Sequence, residues 1–204
     1  MTHRRLVAVA VLLMATAAST WALGSPNGLG SEANEGCLCH TPDASTMVQL
    51  DGLPETYASN TSYALTLTIS SPIEPKANAS LGGFRWMVDE GTLTPVNNST
   101  VQALEGGWTH TNEGSNFRSW SMTWTSPTDN TTAANFVIHG NAVNGNNAPT
   151  GDAWSSLELV VPGEAYEGDL TPDEGIDGVS PGDRMLLVVG LVLILGLLWA
   201  VARP

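Results

Sequence analysis

Cys37-Leu38-Cys39-His40 places two thiols and an imidazole side by side in one short stretch. They are both of the chain's cysteines and one of its four histidines. Thiolate and imidazole together are the donors of covalent haem attachment and of soft-metal sites, so the grouping points to a cofactor more than to packing. Cysteines one residue apart cannot staple distant parts of a fold, and stability must come from the core instead. In an extended segment Cys37 and Cys39 point to one side and His40 to the other, so one group held by all three requires a turn at Leu38-Cys39.

Three chemistries are open to this stretch. Cys37 and Cys39 could tether a haem with His40 as its proximal ligand and His110 or His139 as the sixth. Cys37, Cys39, His40 and His110 could instead complete four-coordination around copper or zinc. With no cofactor, the thiols stay free or close a strained disulfide, and the domain is an adhesion or envelope module.

The elements that must present the stretch begin with a leader over residues 1–24. Arg4-Arg5 precede an apolar run from Leu6 to Ala18, then small residues, with cleavage expected near Ala22 or Gly24, the layout of a secretory signal peptide. At the other end 185–202 is apolar and carries no charge, long enough to cross a bilayer as one helix. Arg203 just beyond it favours a cytoplasmic C-terminus. The expected topology is a single-pass cell-membrane protein with an extracellular N-terminal domain. Residues 163–184, with Glu164, Glu167, Asp169, Asp173, Glu174, Asp177 and Asp183 among Gly and Pro, read as an acidic stalk.

The chain carries a formal charge of −13; losing the leader's Arg4 and Arg5, two positive charges, takes this to −15. Nucleic acid is excluded as a partner, and so is an anionic membrane surface beyond the span itself. A redox or surface protein is the partner class that remains.

Between leader and stalk the pattern is all-β. Tyr63, Leu65, Leu67 and Ile69 alternate with Ala64, Thr66 and Thr68; Phe84, Trp86 and Val88 alternate with Arg85, Met87 and Asp89; Trp120, Met122 and Trp124 alternate with Ser121, Thr123 and Thr125. Met47–Leu50, Val101–Leu104, Asn135–His139 and Trp154–Val161 are further strand candidates. Short strands separated by Gly, Pro, Asn and Asp clusters predict a single antiparallel β-sandwich, Ig-like in class, over 45–162, preceded by an extended arm over 25–44 that carries the Cys-x-Cys-His. About 135 residues suffice for one such domain and not two. Sequons at Asn60, Asn78, Asn97, Asn98 and Asn130 fit a glycosylated exported domain. No Gly-x-Ser-x-Gly, His-Glu-x-x-His or phosphate-cradling loop occurs, and no catalytic residue is identified.

Four pieces of the chain resemble, in order, the prokaryotic Reeler-like exported domain, also called a choice-of-anchor domain. They are the Cys-Leu-Cys-His stretch, the strand from Tyr63 to Thr68, Thr109-His110-Thr111 with Ser119 to Thr125, and His139-Gly140-Asn141-Ala142-Val143-Asn144-Gly145-Asn146 running on to Gly151-Asp152. The resemblance spans roughly 36 to 161 and implies a β-sandwich of the cell surface. It also implies c-type haem, since many members carry Cys-x-x-Cys-His at the front, the attachment sequence for that group. This chain departs by one residue, with Cys37-x-Cys39-His40.

Overall fold

Alternating side chains make strands here, and two sheets bury the apolar half of each alternation. The computed structural model describes residues 25–146, 148–168, 170 and 181–202. The chain divides into a body, Leu23–Pro172, and a second unit of Met1–Ala22 with Asp173–Pro204. The leader expected over 1–24 and the part of the stalk at 171–180 lie outside the described residues.

The body contains ten strands: β1 (Thr41–Pro42), β2 (Met47–Asp51), β3 (Ser62–Ser70), β4 (Gly82–Val88), β5 (Thr92–Pro95), β6 (Val101–Leu104), β7 (Gly107–His110), β8 (Ser119–Thr125), β9 (Ala133–Ala142) and β10 (Ala153–Pro162). One sheet runs β1-β10-β9-β4-β7-β6 and the other β2-β3-β8-β5. All pairings are antiparallel except β1 on β10, where two residues run parallel. The short strand β1 follows the Cys-x-Cys-His directly, so the sheet edge itself holds that stretch in place. β1, β5 and β7 were not among the predicted strands.

Leu65, Leu67 and Ile69 of β3 and Trp120, Met122 and Trp124 of β8 face Phe84 and Trp86 of β4 and Phe136 and Ile138 of β9, all buried. Aromatic rings meet across this layer, Phe84 and Trp120 tilted with centroids 4.6 Å apart and Trp124 and Phe136 edge-to-face at 5.0 Å. Each such ring removes a large apolar area from water, the dominant stabilising term. β6 and β7 are joined by Glu105-Gly106, both at positive φ (43° and 75°), the two-residue hairpin turn that matches strand twist.

The sandwich ends later than expected. Gly163, Glu164 and Ala165 donate backbone hydrogen bonds to Thr132, Tyr57 and Asn130, so the first residues assigned to the stalk belong to the body. Asn60, Asn78, Asn97 and Asn98 are exposed and Asn130 is half-buried.

In the second unit the described part is a helix, α1 (Pro181–Ala202). Its described apolar side chains, Leu186, Leu187 and Leu198 among them, are exposed. Among the described residues no helix is long and apolar enough to cross a membrane.

Candidate functional site

The arm over 25–36 is not free; a row of polar side chains on the outer face of the larger sheet grips it. Strand register lines up Gln102, Thr109, Arg85, His139 and Ser156 across β6, β7, β4, β9 and β10. Gln102 Nε2 donates to Asn27 O at 2.7 Å, and Thr109 Oγ1 accepts from Leu29 N at 3.0 Å. Arg85, fully buried, donates to Leu29 O, Leu104 O, Glu105 O and Asn34 Oδ1. His139 Nε2 meets Asn34 O at 2.9 Å, while Nδ1 meets Ser156 Oγ at 2.6 Å. A carbonyl can only accept, so Nε2 of His139 carries the ring proton and Nδ1 takes the serine's. Burial lowers the Arg85 pKa, opposed by Glu32 and Glu105, and the guanidinium stays charged.

The arm then turns into the Cys-x-Cys-His. His40 N donates to Cys37 O at 2.9 Å, closing the turn that the ligand geometry required. The turn separates the two thiols. Cys37 is 5 % exposed, and its thiol is pushed up to about 12, chiefly by burial and further by Cys39 nearby. Leu38 and Cys39 are exposed, and no disulfide joins the pair. Gly36 lies on the Trp154 ring, at φ 119°, where a Cβ would stand 2.4 Å from the indole. Only glycine lets the chain pass there. Trp154 Nε1 donates to His40 O at 3.1 Å, fixing the far side of the turn.

His40 forms part of the wall of a cleft of about 700 Å³ at one end of the sandwich, shared with His110, Asn141, Asp152, Gly83 and Ser25. Its Nδ1 stands 3.2 Å from Asp152 Oδ2. The approach is close enough for attraction but off hydrogen-bond alignment, so Nδ1 is buried without a hydrogen bond. Nε2 of the same ring has no hydrogen bond among the described residues. Asp152 Oδ1 accepts from Asn144 N at 2.9 Å, so one carboxylate ties the turn to the Gly-Asn loop. Asn141 is 6 % exposed and its Oδ1 has no partner, a buried acceptor that calls for a donor from whatever fills the cleft.

The remaining expected ligands are placed otherwise. His110 shares the cleft wall, but its Nδ1 lies 3.1 Å from Phe84 N and its Nε2 3.3 Å from Ser25 O. The backbone N–H obliges Nδ1 to accept, so Nε2 holds the proton and has no lone pair to offer. Burial holds the His110 pKa below the usual histidine value, against hydrogen bonds to Phe84 and Ser25 that raise it. Gly83 supplies the room for this ring: a Cβ there would stand 2.3 Å from it. His139 lies under the arm, away from the cleft lining. Among the described residues no three His, Cys, Asp or Glu stand together as a metal-holding group.

Against a c-type haem the same residues fit in half. Cys39 is exposed and adjoins His40 in sequence, and His40 Nε2 has no hydrogen bond among the described residues. Cys37 is turned into the protein. Asp152 and Asn141 were the parts that the residue types alone did not single out; their only signal was the Gly-Asn run ending at Gly151-Asp152.

No family model and no curated protein matches the chain. Among solved structures, the human F-spondin reeler domain is similar at TM-score 0.43 and 16% identity, covering 61% of this chain and 92% of that one. The Reelin-N domain of F-spondin follows at TM-score 0.40 and 15% identity, covering 61% and 90%. A conjugate transposon protein of Bacteroides vulgatus has TM-score 0.37 and 14% identity, covering 61% and 91%. The two-sheet architecture stands on the strand registers above and not on these likenesses.

Proposed function

We propose that this is a membrane-anchored protein of the cell surface whose β-sandwich holds a haem at the cleft beside Cys39 and His40, for electron transfer with a redox or surface partner. The observation that carries the reading is His40: its ring lines a cleft, Asp152 stands beside its Nδ1, and its Nε2 has no hydrogen bond among the described residues. A cleft of about 700 Å³ falls in the range of small-molecule and cofactor sites. A bound haem would supply one-electron chemistry. The chain's own residues would set its environment, with His40 as the residue that would hold the iron and Asp152 beside that ring.

The leader, stalk and 185–202 segment support export and single-span anchoring, and the family resemblance of the Cys-x-Cys-His supports haem over copper or zinc. An acidic body favours a partner that presents positive charge. The second reading, a cofactor-free adhesion or envelope module, is favoured by Cys37 lying inside the protein and by His110 and His139 having both ring nitrogens engaged.

The test is an absorption spectrum of the full chain produced in a host that matures c-type haem, before and after dithionite. A Soret band with sharpened α and β bands, surviving acid–acetone extraction, is the expected result. A featureless spectrum without bound metal overturns the cofactor reading and leaves the adhesion or envelope module.

A further inference from the structure

We infer that Asn78 is an N-glycosylation site and that its glycan stands at the mouth of the end cleft. The site is independent of any cofactor in that cleft. Asn-x-Ser/Thr occurs at five asparagines, and the motif alone does not rank them. The closed sandwich does, because a side chain that carries sugar has to reach solvent. Asn130 is half-buried, and its carbonyl accepts from Ala165 N where the chain leaves the sandwich. Asn97 Oδ1 accepts from Ser99 N and Asn60 Oδ1 from Thr128 Oγ1, so the body holds both amides. Asn78 and Asn98 are exposed and make no side-chain hydrogen bond among the described residues. Of these two, Asn78 lines the cleft.

Asn78 has φ 59°, in the left-handed region that asparagine tolerates better than most residues. It sits in a turn whose ends are tied by Ala79 N on Lys76 O at 3.2 Å. The turn is seated on the Gly-Asn loop: Lys76 N donates to Asn144 O at 3.0 Å, and a Cβ on Gly145 would stand 2.2 Å from Ala79 Cβ. Just beyond it, Leu81 N donates to Ser115 O at 2.8 Å and Val143 N to Leu81 O at 3.1 Å. Asn78 therefore projects from a turn fixed to the body. Ser25, Ser80 and Asn146 share the cleft lining with it, polar groups that sugar hydroxyls can meet. A glycan there screens this rim from a macromolecule, so a protein partner approaches the cleft from another side.

The transfer needs an oligosaccharide carried on a lipid phosphate or pyrophosphate. Nδ2 of Asn78 bonds the anomeric carbon, the bond from that carbon to the phosphate oxygen breaks, Nδ2 gives up one proton, and the lipid phosphate leaves.

Trypsin separates the candidates. Cleavage after Lys76, Arg85, Arg118 and Arg184 leaves Asn60 in the peptide ending at Lys76, Asn78 alone in 77–85, Asn97 and Asn98 in 86–118, and Asn130 in 119–184. Full chain exported by a host that N-glycosylates should yield 77–85 with sugar and 119–184 without it. Asn78→Gln should lose the sugar on 77–85 and keep the wild-type thermal midpoint, since the side chain supports no bond. Amide hydrogen exchange over 143–148 should be slower in the glycosylated chain than in Asn78→Gln. A bare 77–85 peptide in the folded, exported chain would overturn the site, and sugar on Asn130 would overturn the ranking by exposure. Sugar on Asn78 with unchanged exchange over 143–148 would overturn its place at the cleft mouth. The haem reading stands or falls separately, on its own spectrum.

Discussion

The arm clamp and the end cleft are both polar regions of one body, and they are completed to different degrees. In the clamp every group has its partner: Arg85 spends its donors on three carbonyls and Asn34 Oδ1, and His139 has a partner at each nitrogen. In the cleft, His40 Nδ1 and Asn141 Oδ1 are buried with no hydrogen bond. A buried polar group left unpaired costs about 1–3 kcal/mol, a penalty the clamp avoids and the cleft carries at Asn141. The difference teaches which histidines are structural. His139 is a strap for the arm, and His40 is the one with a nitrogen to spare. His110 belongs to both regions by position and to the clamp by chemistry, since Ser25 O and Phe84 N occupy it.

The hardest blow to the clamp is Arg85→Leu. It strands four acceptors beneath the arm, and we expect a loss of about 3 kcal/mol or more in urea unfolding, with the arm becoming open to protease. A variant unfolding at the wild-type midpoint would show that the arm contributes nothing to the body.

A smaller effect divides the two regions by pH. The folded pKa of His110 lies below its ordinary 6.5, so between the two values the unfolded chain binds the extra proton and stability rises with pH. This contribution is fully present above 6.5 and is lost as pH falls below it toward the folded pKa. Thermal midpoints should therefore decline on acidification below that point, and His110→Gln should flatten the decline whatever its own stability. An equally steep profile in His110→Gln would assign the acid sensitivity to another group.

The smallest change is expected at the cleft. Asn141→Ala breaks no side-chain hydrogen bond at Oδ1, and stability should stay within about 1 kcal/mol of wild type. A loss as large as that of Arg85→Leu would make Asn141 part of the fold's support and erase the contrast between the regions.

Local pattern made much of the body readable. The alternation in β3 and β8 put Leu65, Leu67, Ile69, Trp120, Met122 and Trp124 inside, and all six are buried. The same parity sent Arg85 outward, correctly as to face, yet Arg85 is fully buried because the arm lies over that face. No local rule could announce the cover, since Asn34 and His139 meet across 105 residues. β5 and β7 are four residues long and carry too little alternation to be seen apart from their partners on β8 and β4. The Cys-x-Cys-His was legible as a chemical cluster. Which of its thiols faces solvent was not, because a turn and a packed indole decide that.

Residue types and spacing by themselves determined that this chain folds as β, that it is acidic, and that two thiols and an imidazole stand together in one short stretch. Those properties depend on side-chain period and composition, which act over a few residues. Tertiary structure alone decided that the arm is clamped, that His110 and His139 are held as donors, that Cys37 is inside, and that Asp152 and His40 meet at the cleft wall. Each of these is a contact between segments far apart in sequence, and only the closed sandwich brings them within hydrogen-bond reach.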